Sequence, residues 1–517
     1  MNERKLMNKL HKPFLIFCVS LSAVIGAVVA YLNPAESPLI GFLSAFLLSG
    51  LSLYALGWLW YKLGGSRVLA WTVFLAFLLR LSIGMFLFIA LPVVGYDEDP
   101  TNAGYLYLDA YRRDGDAWRL AESGEPLGMA FQEEFTTDQY GGLLSLSAAV
   151  YRVFSPDGHR PLLILILTSF AAAAGLPFLW QVVRKRWGER TANVAAWLYA
   201  LYPESVILGA SQMREPMLIG LSAVAAWGVG KWKDNKTRSL LALGVSFLLL
   251  LFFSFKAAGA IFAAMAVWFW LENIQPKAGK ALRIAGYLLL AAGLLAGLYF
   301  SGSWLVDSSK WDLHLMQSSS GRIQWEVTLI SDLLRVPFIV GYGIAQPVLP
   351  AAIIYPGLPI NRAIAIFRSL GWYLLAPLLL TGFLLVWKEK NRQNKALLLF
   401  FMIVTVVWTL ISSARAGGDQ WDNPRYRSIM LIWMLIPAAW ATVTTLEKRS
   451  PWLWRLLLLE FIYIGFFIQW YLSRYYGLFK RMNFWPMVRL LGGIGFAVIF
   501  GGLVYDWARK KIGEKRG

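Results

Sequence analysis

Apolar residues along this chain come in long runs rather than in alternation. Bounded by charges or by Gly and Pro, the runs fall at 14–32, 38–60, 68–93, 161–182, 191–209, 213–230, 239–254, 257–271, 284–300, 369–387, 396–412, 428–444, 452–472 and 486–505. Most approach the roughly 20 residues that a helix needs to cross a hydrocarbon layer. A single segment in lipid satisfies its own backbone only as a helix. The pattern therefore predicts an all-α, polytopic membrane bundle of about 14 spans. No repeat of 20–50 residues is visible, nor the inverted repeat that many transporters carry.

Composition agrees and narrows the class. The 517 residues are 58% hydrophobic and 15% charged, with a mean hydropathy of +0.53. A soluble domain carries about a quarter charged residues. These values exclude a soluble globular enzyme, a disordered chain and a secreted disulfide scaffold. The single cysteine, Cys18, excludes an internal disulfide framework and a cysteine-based metal cluster. His11, His159 and His314 are scattered, which argues against a His-rich metal site.

The net charge of +19 changes the picture only after it is mapped. In a soluble protein it would suggest nucleic acid; in a polytopic one it marks the loops held on the cytoplasmic side. With a cytoplasmic N-terminus, the inner segments are 1–12, 61–67, 183–190, 231–238, 272–283, 388–395, 445–451 and 506–517, and they hold 28 of the 49 Lys and Arg. Residues 95–160, on the other side, hold twelve Asp and Glu against five Arg. The exception is 473–483, with Arg474, Lys480 and Arg481 on the expected outer side. The basic stretch before Lys12 leads into an apolar segment without a small-residue cleavage site, so it reads as a retained first span. The expectation is a plasma (inner) membrane protein with both termini cytoplasmic and no nucleic-acid partner.

Two outer gaps are too long to be connectors, about 95–160 and about 301–368. Loops of more than about 15 residues usually carry function. The first is expected to hold two short interfacial helices, 105–121 and 139–154, lying on the outer leaflet. It also holds Asp97-Glu98-Asp99, Asp109, Asp114-Gly115-Asp116, Glu133-Glu134 and Asp138. Carboxylates at a membrane surface can act as a general base or ligate a hard cation such as Mg or Mn. They can equally form a solvated acidic loop.

Other charges at this face need a reason of their own. Arg214-Glu215 lies at an outer turn near Glu204 and either pairs internally or turns Glu215 into a cavity with the acidic loop. Arg80 lies deep within 68–93, where an arginine costs at least a few kcal/mol, about 3 on the translocon scale. It should face protein, a lipid phosphate or a water-filled cleft. Lys256, Arg415, Arg425 and Arg427 oppose the topological bias on the outer side. A phosphate or pyrophosphate headgroup would account for them through guanidinium forks, as would local pairing with Asp419 and Asp422.

Taken together, these positions resemble the integral-membrane glycosyltransferases of the GT-C fold, which include protein O-mannosyltransferases and aminoarabinose transferases of lipid A. Four segments carry the likeness. Asp109 precedes Ala117-Trp118-Arg119-Leu120-Ala121-Glu122-Ser123-Gly124 at the family's spacing. Asp138-Gln139-Tyr140-Gly141-Gly142 matches a Tyr/Gly element that opens an outer helix. Ala200-Leu201-Tyr202-Pro203 followed by Met213-Arg214-Glu215-Pro216 matches two spans joined by an outer turn. Arg425-Tyr426-Arg427 with Pro437-Ala438-Ala439 matches a late element of the Arg-Tyr kind. The family's usual acidic pair becomes Asp109-Ala110 here, so Asp114 or Asp116 is expected to share the work. The likeness divides the chain into two extra spans (1–66), a catalytic core (67–445) and two C-terminal spans with a basic tail (446–517).

The resemblance implies a polyprenyl-phosphate-linked sugar donor and a lipid, glycan or protein acceptor. It implies an aspartate of the first outer loop as the base, with Asp109 first and Asp116 and Asp114 after it. Lys256, Arg425, Arg427, Tyr426, Arg80, Glu215 and Tyr140 would hold the substrate or its phosphate. Members differ on divalent cations, so no metal requirement carries over. Two other classes stay open. An O-antigen-type ligase or polymerase would place its functional loop late in the chain. A flippase or transporter of lipid-linked substrates would place charges at the midplane.

Overall fold

The computed structural model describes residues 3–132, 135, 141–293, 295–296, 299, 329–480 and 482–514. Among the described residues every element is helical. Ten helices of the described residues are long and apolar enough to cross a membrane, or eleven if the bent pair Asp422–Ser428 and Leu431–Lys448, meeting at 75°, is one span.

The chain packs as two compact units. The first is Met1–Leu298 with Arg425–Leu435, and the second is Tyr299–Pro424 with Ile436–Gly517. The first opens with α1 (Glu3–Leu32), α2 (Pro38–Leu63) and α3 (Arg67–Val94). The oxygen of Ser66 caps α3 by accepting from the Leu69 amide, the usual service of a serine at a helix start. Three α-helices are described in the stretch 95–160: α4 (Asp99–Asn102), α5 (Leu108–Ser123) and α6 (Gly142–Phe154). Then come α7 (Leu162–Leu201), α8 (Pro203–Gly209), α9 (Glu215–Lys231), α10 (Lys236–Phe253) and α11 (Phe255–Phe269).

α7 is two helical limbs that meet at a reversal. Gly188 is non-helical, at φ 86° and ψ 173°. Side-chain contacts show what that residue does. The Trp180 indole donates to Asn193 at 2.9 Å, and the Tyr199 hydroxyl donates to the Ala172 carbonyl at 2.8 Å. Residues before Gly188 thus face residues after it in reverse order, so α7 is a helical hairpin with Arg184, Lys185 and Arg186 at its tip. Only glycine takes such a left-handed φ without strain. The first limb packs on α9 through glycines: a Cβ on Gly175 would lie 2.7 Å from the Gly220 Cα. Small residues let membrane helices approach this closely.

Arg80 is fully buried in α3, and its guanidinium donates to the carbonyls of Ala76, Tyr199 and Ala200 and to the Ser205 hydroxyl. The last carbonyls of a helix have no partner of their own, and Arg80 supplies donors at the end of α7. This corrects the expectation that Arg80 holds a lipid phosphate.

The second unit contains α12 (Asp332–Ala345), α13 (Leu349–Ile354), α14 (Pro359–Leu385) and α15 (Arg392–Ala416). It continues with most of α17 (Leu431–Lys448), then α18 (Trp452–Tyr476) and α19 (Phe484–Glu514), after the short α16 (Asp422–Ser428). One sequence expectation changes here. The stretch 301–368 is not one loop: its described part holds α12 and α13, and α14 begins ten residues before the expected span at 369. Just before α16, the Asp419 carboxylate accepts from the amides of Trp421 at 2.6 Å and Asp422 at 3.0 Å.

Candidate active site

The stretch 95–160 folds against its own unit. On α5 the buried residues are Ala110, Arg113, Asp114, Asp116, Ala117 and Leu120, while Leu108 is exposed. The helix therefore turns charged groups inward together with its alanines and Leu120. Burying a charge is costly unless it finds partners, and each of these groups has found some.

Asp114 is the most fully engaged. Its carboxylate accepts the Tyr105 hydroxyl at 2.6 Å and the Tyr151 hydroxyl, and lies 2.7 Å from His159 Nε2. His159 stacks on Trp118, with centroids 5.3 Å apart. Burial, then the Asp114 charge, pushes both phenols well above their usual range, so they remain donors. Asp114 thus ties α5 to α6 and to the start of α7. Asp116 is buried and paired with the exposed Arg119. The two carboxylates of the Asp-Gly-Asp motif serve separate partners. Among the described residues, no three His, Cys, Asp or Glu side chains converge in a way that could hold a metal ion.

Asp109 differs from both. Its side chain is 55% exposed, and it accepts from Arg425 Nη1 at 2.9 Å. Arg425 is itself buried, and its Nε lies 3.0 Å from Oε1 of Glu215. Glu215 is 0% exposed and opens α9, with Arg214 Nε at 4.0 Å. A carboxylate in the first turn of a helix is favoured by the aligned backbone dipoles. One guanidinium therefore joins an exposed carboxylate to a buried one. Burial acts to raise the Asp109 pKa, but the charge and hydrogen bond of Arg425, with Arg113 and Arg214 beyond, take it below the usual carboxylate value.

The turn beneath this site is also shaped. Gln212 takes a left-handed φ of 54°, which costs a non-glycine residue about 1 kcal/mol or more. It is held by Arg113, which donates to its carbonyl at 2.8 Å, and by its own amide, which donates to the Pro161 carbonyl at 3.0 Å. At the far end of the segment, Arg160 is fully buried and donates to the carbonyls of Pro34 and Ser37 and to Asp157. Arg160 and the Ser37 amide hold the Asp157 carboxyl down at about 2. These contacts fasten the segment to the α1–α2 turn.

The structure thus brings Asp109, Glu215 and Arg425 together, with the Arg425 guanidinium 5.3 Å from the ring of Tyr426. It places Arg427 elsewhere: fully buried, with Tyr202 and Glu204 as its electrostatic neighbours. That corrects its assignment to a phosphate at the surface. Lys256 lies exposed at the start of α11, its ammonium 5.9 Å from the Phe255 ring centroid. Tyr140, with Glu133, Glu134 and Asp138, lies outside the described residues. Sequence reading missed His159, Tyr105 and Tyr151 as a polar set. The signal was present in part, because a buried tyrosine needs a partner for its hydroxyl. No protein-family model, curated protein or solved structure matches this chain.

Proposed function

We propose that this protein is a membrane glycosyltransferase that moves a sugar from a polyprenyl-phosphate donor to an acceptor on the extracytoplasmic face, with inversion. The observation that carries the reading is the Asp109–Arg425–Glu215 constellation, an exposed carboxylate kept ionised by a guanidinium with a second, buried anchor. In the proposed reaction the acceptor hydroxyl attacks the anomeric carbon as the bond to the lipid phosphate breaks. Asp109 orients that hydroxyl and takes its proton, which becomes acidic as the new bond forms. Arg425 stays on Glu215 and swings its other nitrogens toward the leaving phosphate, acting as preorganised positive charge. Asp114 and Asp116 hold α5 in place and take no part in the chemistry.

The topology belongs to the same proposal. Counting both limbs of α7, the 17-residue α9 and the helical residues at 280–293 as spans gives about fourteen. The inner ends then carry the basic loops, both termini are cytoplasmic, and α5 and α6 face outward in a plasma (inner) membrane.

The lipid that co-purifies with the chain tests the reading. Mass spectrometry of extracts is expected to find a polyprenyl phosphate or its glycosylated form, reduced in Arg425→Gln. Extracts holding only bulk phospholipid in both would contradict it.

A further inference from the structure

At the opposite end of α9, about 24 Å along the helix from Glu215 at 1.5 Å per residue, a second polar site has no task in the reaction above. A cavity of about 450 Å³ lies between the tip of the α7 hairpin and the ends of α9 and α11. Arg184, Lys185, Arg186, Lys231 and Lys233 line it, with Glu272 as the acidic residue of the wall. Indoles of Trp187, Trp227 and Trp268 supply the apolar wall.

The cations are partly answered from within. Lys185 reaches Asp234 at 2.9 Å, and Lys231 reaches the same carboxylate at 3.3 Å. Arg186 lies 3.3 Å from Glu272, and Lys233 donates to the Glu272 carbonyl at 2.7 Å. The first limb of α7, α9 and α11 all end here, and each helix C-terminus adds about −0.5 charge. Five cations facing two carboxylates and three such termini leave a surplus of between about one and two positive charges. Loops that merely obey topology spread their charges over the surface. These converge on one walled cavity with indoles beside them, the combination that suits an anionic headgroup at a membrane interface.

We propose that this cavity is a binding site for a phosphate-bearing dianion, either the headgroup of an anionic lipid or a free phosphate compound. The site is independent of the glycosyltransferase reading, because none of its residues belongs to the Asp109 constellation.

The test uses the full chain, delipidated and then offered two probes. One is incorporation into phosphatidylcholine bilayers with or without cardiolipin, read by native mass spectrometry as retained lipid. The other is titration with inorganic pyrophosphate in detergent, read as a rise in melting temperature. Binding of cardiolipin alone identifies a lipid headgroup, and binding of pyrophosphate alone identifies a soluble ligand. In either case Arg184→Gln/Lys231→Gln is expected to bind about thirtyfold more weakly, at roughly fivefold per charge removed. The charge-preserving Arg184→Lys/Lys231→Arg should retain binding, which separates loss of charge from misfolding. No binding of either probe, equal binding in the Gln pair, or loss of binding in the charge-preserving pair would each overturn the proposal.

Discussion

The two ends of α9 hold charge in opposite ways. At its start, Glu215 is wholly buried, and the guanidinium of Arg425 is shared between it and Asp109. At its end, Lys231 joins four other cations around a cavity with only Glu272 in the wall and Asp234 beside it. The first end is a closed ion network in which each member is needed by another. The second is an open one with charge left over. A closed network is costly to break and confers geometry; an open one is cheap to alter and confers affinity.

The largest expected effect comes from opening the closed end. Arg425→Ala leaves Glu215 buried with only the more distant Arg214 beside it, and removing one partner of a buried pair costs about 3–5 kcal/mol. Thermal unfolding in detergent should show the loss, and Glu215→Gln/Arg425→Ala should regain part of it. A double variant no better than the single would mean that the pair is not the source of the cost.

The next effect sharpens the contrast within α5. Asp114→Ala strips Tyr105, Tyr151 and His159 of a common acceptor, at about 1–3 kcal/mol for groups left unsatisfied. Asp109→Asn, at an exposed position, should cost less than about 1 kcal/mol. Equal destabilisation of the two would erase the distinction between a fastening carboxylate and a working one.

A smaller effect lies in pH. Burial raises the Asp109 pKa, but Arg425 outweighs it, so the folded value is below the unfolded one. Its ion pair is therefore complete above the usual carboxylate pKa of about 3.9 and is lost as pH falls through the lower folded value. The acid limb of activity should move to higher pH in Arg425→Gln, where burial acts with less opposition. A limb that stays in place would detach Asp109 from the profile.

Much of this architecture was legible in the sequence because it is local. Run length gave the membrane helices, and the basic break at Arg184–Arg186 marked the reversal that Gly188 makes within α7. Spacing to Ala117 and Leu120 singled out Asp109. What stayed hidden was partnership across distance. Arg113, one helical turn from Asp109, adds its charge, but the hydrogen bond comes from Arg425, 316 residues on. Arg80 and Arg427 read as surplus cations, because nothing in the sequence shows the carbonyls or the glutamate that lie beside them in the fold. The inward turn of α5 was missed for the same reason: its acids are buried by partners from α6 and from the approach to α7.

The most direct test of the central claim is transfer from a labelled polyprenyl-phosphate sugar by the reconstituted chain, comparing parent, Asp109→Asn and Asp116→Asn. The account predicts that Asp109→Asn abolishes transfer while folding and donor retention persist, and that Asp116→Asn keeps most of its activity. Full transfer in Asp109→Asn would contradict it.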